Sequence, residues 1–346
     1  MKSLLSRAVL ALTVAATLAL SDARGVTIDW VPVGDAGNTA DGATGYGAVA
    51  DAFQMGKYEV TIQQYTDFLN AVAASDPYSL YNDSMATTPN IAGISRSGTS
   101  GGYSYSVTGP SGATPAGASS PGNRPITYVS WFDAARFANW MQNGQGSGDT
   151  ETGAYTLNGA TSGGAPAVNS GAQFFVPTLD QWYKAAYYKG SGTSAGYWSY
   201  ATQSDAVPGN VIGSGANQAN YYDGTDLSVT QSGAFDSNQN YLSDVGAFSN
   251  SASAYGTFDQ SGNVWEWNDL DGLSAGQRGI RGGYWNAGQS SLVSTFGITM
   301  VETYEGDDLG FRLASPVAVP EPSTCVIALA GLACGGYSLF RGRTRA

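Results

Sequence analysis

The sequence predicts an α+β class for this chain: a single, coil-rich domain with short strands and a few helices. Three observations carry that prediction. Apolar residues recur at helical spacing in only three segments of the interior. Short runs near the start alternate apolar and polar residues, as half-buried strands do. From Gly190 to Ala314, aromatic residues are scattered among Gly, Ser, Asn and Asp with no long helical pattern, which reads as short strands and structured loops. No repeat at a fixed period and no sharp change of composition divides residues 22–315, so one domain is the simplest organisation.

In chain order, Val26 to Val33 alternates through Val26, Ile28 and Trp30 and reads as a strand, followed by a Gly/Asn/Asp loop over 35–47. Phe53 to Thr61 reads as a second strand. Thr61 can cap a helix from Ile62 to Ala74 with its stripe at Ile62, Tyr65, Phe68, Leu69 and Val72. Asn82 to Asn123 is rich in Gly, Ser, Thr and Pro with few large apolar residues, so a surface stretch is expected there. Ser130 can cap a second helix, Trp131 to Asn143, with its stripe at Trp131, Ala134, Ala135, Phe137, Ala138 and Met141. Phe174 to Thr178 leads into a third, Leu179 to Tyr188.

Composition narrows the chemistry. The 346 residues include no histidine and two cysteines, which excludes a histidine general base, a Ser-His-Asp nucleophile and a His-ligated metal. A net charge of -12 argues against nucleic acid as a partner, because phosphate contacts need a basic face. Charged residues make up 12% of the chain, about half the roughly 25% of ordinary soluble domains. Yet a 42% hydrophobic content with eight tryptophans belongs to a folded core rather than a disordered polymer.

Both ends read as processing signals. Lys2 and Arg7 precede an apolar run from Ala8 to Leu20 with small residues at Ala19 and Ser21, the layout of a secretory signal peptide over 1–21; the other reading is a buried core helix. At the far end, Val319-Pro320-Glu321-Pro322 precedes sixteen mostly apolar residues, Cys325 to Phe340, and then Arg341, Arg343 and Arg345. That run is just short of the roughly 17–25 residues a spanning helix needs, and the arginines fit the positive-inside rule. The order of parts over 319–346 resembles a PEP-CTERM sorting tail, which implies an exosortase-type membrane protease as partner; a plain C-terminal membrane anchor is the other reading. Either places the domain outside the cytoplasm, exported to the cell envelope or surface. Both cysteines lie in this tail, so the domain itself has no thiol and no disulfide. The ends also remove five basic residues against Glu321 alone, which leaves the domain more acidic still and suited to an oxygen-ligated divalent cation such as calcium.

Four segments in order carry a further resemblance. They are Tyr58-Glu59-Val60-Thr61; Pro125 to Trp131 with Asp133, Ala134 and Trp140; Val176-Pro177-Thr178 with Trp182, Lys184, Ala185 and Ala186; and a C-terminal group. That last group is Tyr255 to Trp267, ending in Gly262-Asn263-Val264-Trp265-Glu266-Trp267, then Arg281-Gly282-Gly283-Tyr284-Trp285 and Gly310-Phe311-Arg312. The series resembles the sulfatase-modifying-factor, or formylglycine-generating-enzyme, domain. The resemblance implies a C-type-lectin-like fold held by calcium. Its ligands would map onto the side chains of Asp259 and Glu266 and the carbonyls of Gly262 and Val264, with a second site beginning at Asn220 and the Tyr221 carbonyl. From the residues alone, Trp265 and Trp267 on an extended segment share one face and Glu266 takes the other. A carboxylate there serves either a hard cation or nearby backbone N–H groups, and both readings stand. Trp265, Trp267, Arg281, Gly282, Gly283, Phe311 and Arg312 read as scaffold, each arginine able to fork onto an interior carboxylate.

The chain departs from the enzyme at its reaction centre. Active members use two cysteines after the Arg-Gly-Gly segment to bind copper(I), and related iron-dependent sulfoxide synthases use three histidines. Here the cysteine positions fall on or near Ala287 and Leu292, and no cysteine precedes Cys325. Copper is therefore not expected, since it needs soft thiolate ligands. Acidic pairs such as Asp307-Asp308 or Asp269 and Asp271 read as solvated or cation-binding loop residues rather than glycosidase carboxylates. Two functions follow: a non-catalytic, calcium-stabilised surface module binding an extracellular polysaccharide or protein, and a formylglycine-generating oxidase acting on sulfatase cysteines. The missing thiolates favour the first.

Overall fold

The computed structural model describes residues 25–109, 121–164, 166–270 and 276–317. The signal-peptide reading over 1–21 and the sorting-tail reading over 319–346 lie outside the described residues, as do both cysteines.

Strand β1 (Trp30–Val33) pairs antiparallel with β2 (Phe53–Gly56), and β2 pairs with the last strand of the domain. The first of these begins later than the alternation suggested. Helix α1 (Ile62–Val72) starts where Thr61 predicts it: Thr61 Oγ1 accepts from Gln64 N at 3.2 Å while Gln64 Oε1 accepts from Thr61 N at 2.8 Å. Its face of Ile62, Tyr65, Phe68 and Leu69 is fully buried.

The 82–123 stretch, expected at the surface, contributes to the core. It holds a one-turn helix, α2 (Ser84–Thr87), and a hairpin of β3 (Ile94–Ser97) with β4 (Ser104–Val107). Met85, Ile94 and Tyr105 reach the main apolar cluster, and Ile91 is buried in a second. Four anchors suffice to pin a polar stretch, because each fully buried large side chain is worth about 1.5–3 kcal/mol.

Helix α3 (Trp131–Gln142) opens on the expected Ser130 cap, with Asp133 closing the box. Helix α4 (Leu179–Tyr187) is capped by Thr178 in the same way, with Gln181 answering. Tyr65, Phe68, Phe137, Trp140 and Phe311 form the aromatic centre between α1 and α3, with ring centroids 5.3–6.2 Å apart.

The second half is, as expected, short strands and loops. Strand β5 (Trp265–Asn268) pairs antiparallel with β6 (Gln277–Arg281) and parallel with β8 (Leu309–Gly310), while β7 (Ile298–Val301) forms the edge beyond β6. Strand β9 (Ala314–Pro316) then closes back on β2 and brings the two ends of the domain together. All four residues of β5 are buried, so the sheet is covered on both faces around the Trp-Glu-Trp segment.

Candidate functional site

Glu266 is the middle of this construction. It is fully buried on β5, and Arg312, just beyond β8, forks onto it: Nε to Oε2 at 2.5 Å and Nη2 to Oε1 at 2.6 Å. Trp182 of α4 adds its Nε1–H to Oε2 at 2.8 Å. The rest of the guanidinium donates to the carbonyls of Gly56, Lys57 and Phe258. One side chain thus joins β2, the 258 turn and β5. The fork expected of Arg312 is present.

Arg281 differs. Its guanidinium donates to the carbonyls of Ser294 and Phe296 at 3.0 and 2.8 Å and lies 5.1 Å from the Tyr46 and Tyr183 ring centres. It is a scaffold residue, but it ties β6 to the 294–296 loop rather than to an acid.

Two further carboxylates stand near Arg312. Glu59 Oε2 lies 3.8 Å from Nη2, too long for a hydrogen bond, and has no hydrogen-bond partner although it is fully buried. Burial, then the field of Asp259, holds the Glu59 carboxyl well above its ordinary range. Asp259 is also buried, at φ +60°, and its Oδ2 accepts from Gly246 N at 2.6 Å. Burial, offset by that bond and Arg312, raises Asp259 to about 6. Three buried carboxyls therefore share one guanidinium. The sequence shows Glu59 only within the Tyr58-Glu59-Val60-Thr61 segment of the resemblance, with no role for its carboxylate.

Glu266 is engaged by Arg312 and Trp182, so a cation drawing on it would share the carboxylate with the guanidinium. Among the described residues no group of three Asp, Glu, His or Cys side chains stands at metal-ligating spacing. Asn220, the first residue of the second expected site, acts as a cross-link. Its Nδ2 donates to Tyr241 O, Asn263 Oδ1 and Ser243 Oγ at 3.0, 3.0 and 3.3 Å. The Tyr221 carbonyl accepts from Ser228 Oγ at 3.1 Å. Asn263 extends the network, accepting from Ser243 N and Oγ. Gly262 sits at φ +90°, and a Cβ there would lie 2.2 Å from the Asn220 carbonyl oxygen, so this crossing of loops requires glycine.

The Ala287 and Leu292 positions lie behind the Gly282-Gly283 turn. Ala287 is half-buried and its carbonyl accepts from Tyr222 N at 3.0 Å. Leu292 is fully buried, packed in a cluster with Tyr200, Ala219 and Tyr221. Gly283, at φ +80°, faces it: a Cβ there would be 2.6 Å from Leu292 Cδ2. Trp265 stacks against Phe296 at 5.9 Å and lies 6.2 Å from the Tyr284 ring, and Phe311 packs in the aromatic centre. Trp267 donates its Nε1–H to Val129 O at 2.9 Å.

A profile of the sulfatase-modifying factor enzyme 1-like domain matches residues 30–317. The chain belongs to that family. Its α+β, coil-rich fold is the family's. No curated protein sequence matches the chain. Among solved structures, CarF is similar at 22% identity, over 84% of this chain and 99% of that one, with a TM-score of 0.46. A variable protein of Treponema denticola, variable protein 1, matches at 16% identity over 83% and 94%, with a TM-score of 0.44. PvdO from Pseudomonas aeruginosa matches at 17% over 78% and 82%, with a TM-score of 0.42.

Proposed function

We propose that this family member is a non-oxidising ligand-binding module, exported and held at the cell surface. The observation that carries the reading is Leu292: on or near the place to which the resemblance assigns a soft thiolate, an isobutyl group is buried and packed over Gly283. A copper(I) centre finds no thiol in the domain, because Cys325 and Cys334 both fall in the C-terminal tail. Incubating the full chain with copper(I), dioxygen and a sulfatase-motif peptide is expected to leave the peptide mass unchanged. Conversion of the peptide cysteine to formylglycine would establish the oxidase reading instead.

Calcium enters this proposal as a stabiliser. The support is that Asp259 and Glu266 together outnumber the single charge of Arg312, with the buried Glu59 Oε2 beside them lacking a hydrogen-bond partner. Asp259 and Glu266 and the carbonyls of Gly262 and Val264 would hold the ion, which would offset the excess negative charge. A calcium ion bound only to the folded state raises the melting temperature by mass action. Melting in calcium and in excess chelator should therefore differ; identical curves would leave Arg312 as the sole counter-charge. Export and exosortase processing rest on the two chain ends, and mass analysis of the cellular protein against the full sequence checks both.

A further inference from the structure

A groove of about 730 Å³ opens where the described residues begin, with Gly25, Asp67, Asn70, Ala71, Trp140 and Gln145 in its walls. It shares no lining residue with the Glu266–Arg312 fork or with the Ala287 and Leu292 positions. The backbone leaves it on a fixed course: Gln145 Nε2 donates to Val26 O at 2.7 Å, and Gln64 Nε2 donates to Thr27 O at 2.8 Å. The peptide bond before Gly25 therefore starts at the groove wall. Asp22-Ala23-Arg24 precede that bond, and a cut after Ser21 frees an α-ammonium on residue 22. Three residues span at most about 10 Å, so both positive charges stay within reach of the groove.

The walls call for a positive charge. Asp67, Asn70 and Ala71 lie in the second half of α1, and Gln145 follows the end of α3, so the C-terminal ends of both helices meet here. Such an end carries a partial negative charge that a cation in the last turn offsets, yet neither helix has a basic residue there. Asp67 adds a full negative charge. Its Oδ1 accepts from Gln63 Nε2 at 2.9 Å, and partial burial holds the carboxyl above its ordinary range. Among the described residues, no basic side chain lines the groove. The Trp140 ring and the Ala71 methyl offer the apolar surface along which a long cationic side chain lays its stem.

We propose that this groove seats the start of the mature chain itself, residues 22–24, with Arg24 against Asp67 and the freed ammonium beside the ends of α1 and α3. The proposal rests on the export reading, which supplies the cut after Ser21, and adds that processing latches the chain onto the domain. Limited trypsin digestion of the chain purified from exporting cells tests it, because trypsin cuts the Arg24–Gly25 bond only when that segment is undocked. Asp67→Lys repels Arg24 and places a cation at the end of α1, so the fold is kept. Ala71→Trp fills the seat without touching a charge. Each variant should speed the cut after Arg24 by about fivefold, the upper worth of an exposed ion pair, with the melting temperature unchanged. Equal rates in the native chain and both variants overturn the docking and leave export standing. Protection that appears only when an arginine-containing peptide is added gives the groove to a partner and overturns the proposal. A cellular chain that still carries residues 1–21, read by its mass, overturns both.

Discussion

Arg312 carries one positive charge into a region with three buried carboxyls, and its five donor contacts reach three separate segments. Arg312→Ala leaves Glu266 buried without its partner, a change that costs about 3–5 kcal/mol. Arg281 gives up less when truncated: two bonds to carbonyls and its ring contacts, about 1–3 kcal/mol. Urea denaturation of both variants checks the order; equal losses would mean that the Glu266 fork is no more than another loop tie. The motif made Glu266 and Arg312 visible as interior residues. It did not show that they bond to each other, because 46 positions separate them and no local spacing encodes the contact.

At the level of elements, each of the three longer helices begins on a reciprocal cap, Thr61 with Gln64, Ser130 with Asp133 and Thr178 with Gln181. Thr178→Ala removes the side-chain acceptor at the start of α4, with an expected loss of about 0.5–2 kcal/mol. Because Trp182 of this helix donates to Glu266, the variant should also alter the near-ultraviolet circular dichroism of the tryptophans. An unchanged spectrum and stability would show that α4 is held by packing alone. Helix starts were legible because capping is local chemistry. The β3–β4 hairpin was not: its apolar residues are too few for a pattern, and Tyr105 acquires its meaning from the α1 face that β4 covers, as Ile94 does from the core cluster it joins.

Across the whole molecule, acids buried without full compensation set the pH response. Asp133 is raised to about 7 and Asp308 to about 6, burial being the first cause of each, with Glu305 and Asp307 adding to it respectively. A carboxyl whose folded pKa exceeds its unfolded value favours folding in the protonated form. Stability from these groups is full below the ordinary aspartate value of 3.8 and is lost as pH rises through about 6 to 7. Asp149 and Asp205 shift the opposite way but are exposed, so screening limits their effect. In chelator, the melting temperature should fall between pH 5 and pH 8; a rise over that interval would contradict the assignment. The sequence by itself determined the family, the class, three helices with two of their caps and the loss of the thiol pair, because each is written in residue identity or local spacing. Only the tertiary structure decided that Arg312 holds Glu266 while Arg281 holds a loop, that Asn220 cross-links three segments, and that Leu292 is buried against Gly283. Those are contacts between distant segments, fixed by how loops cross in a fold with little regular structure to announce them.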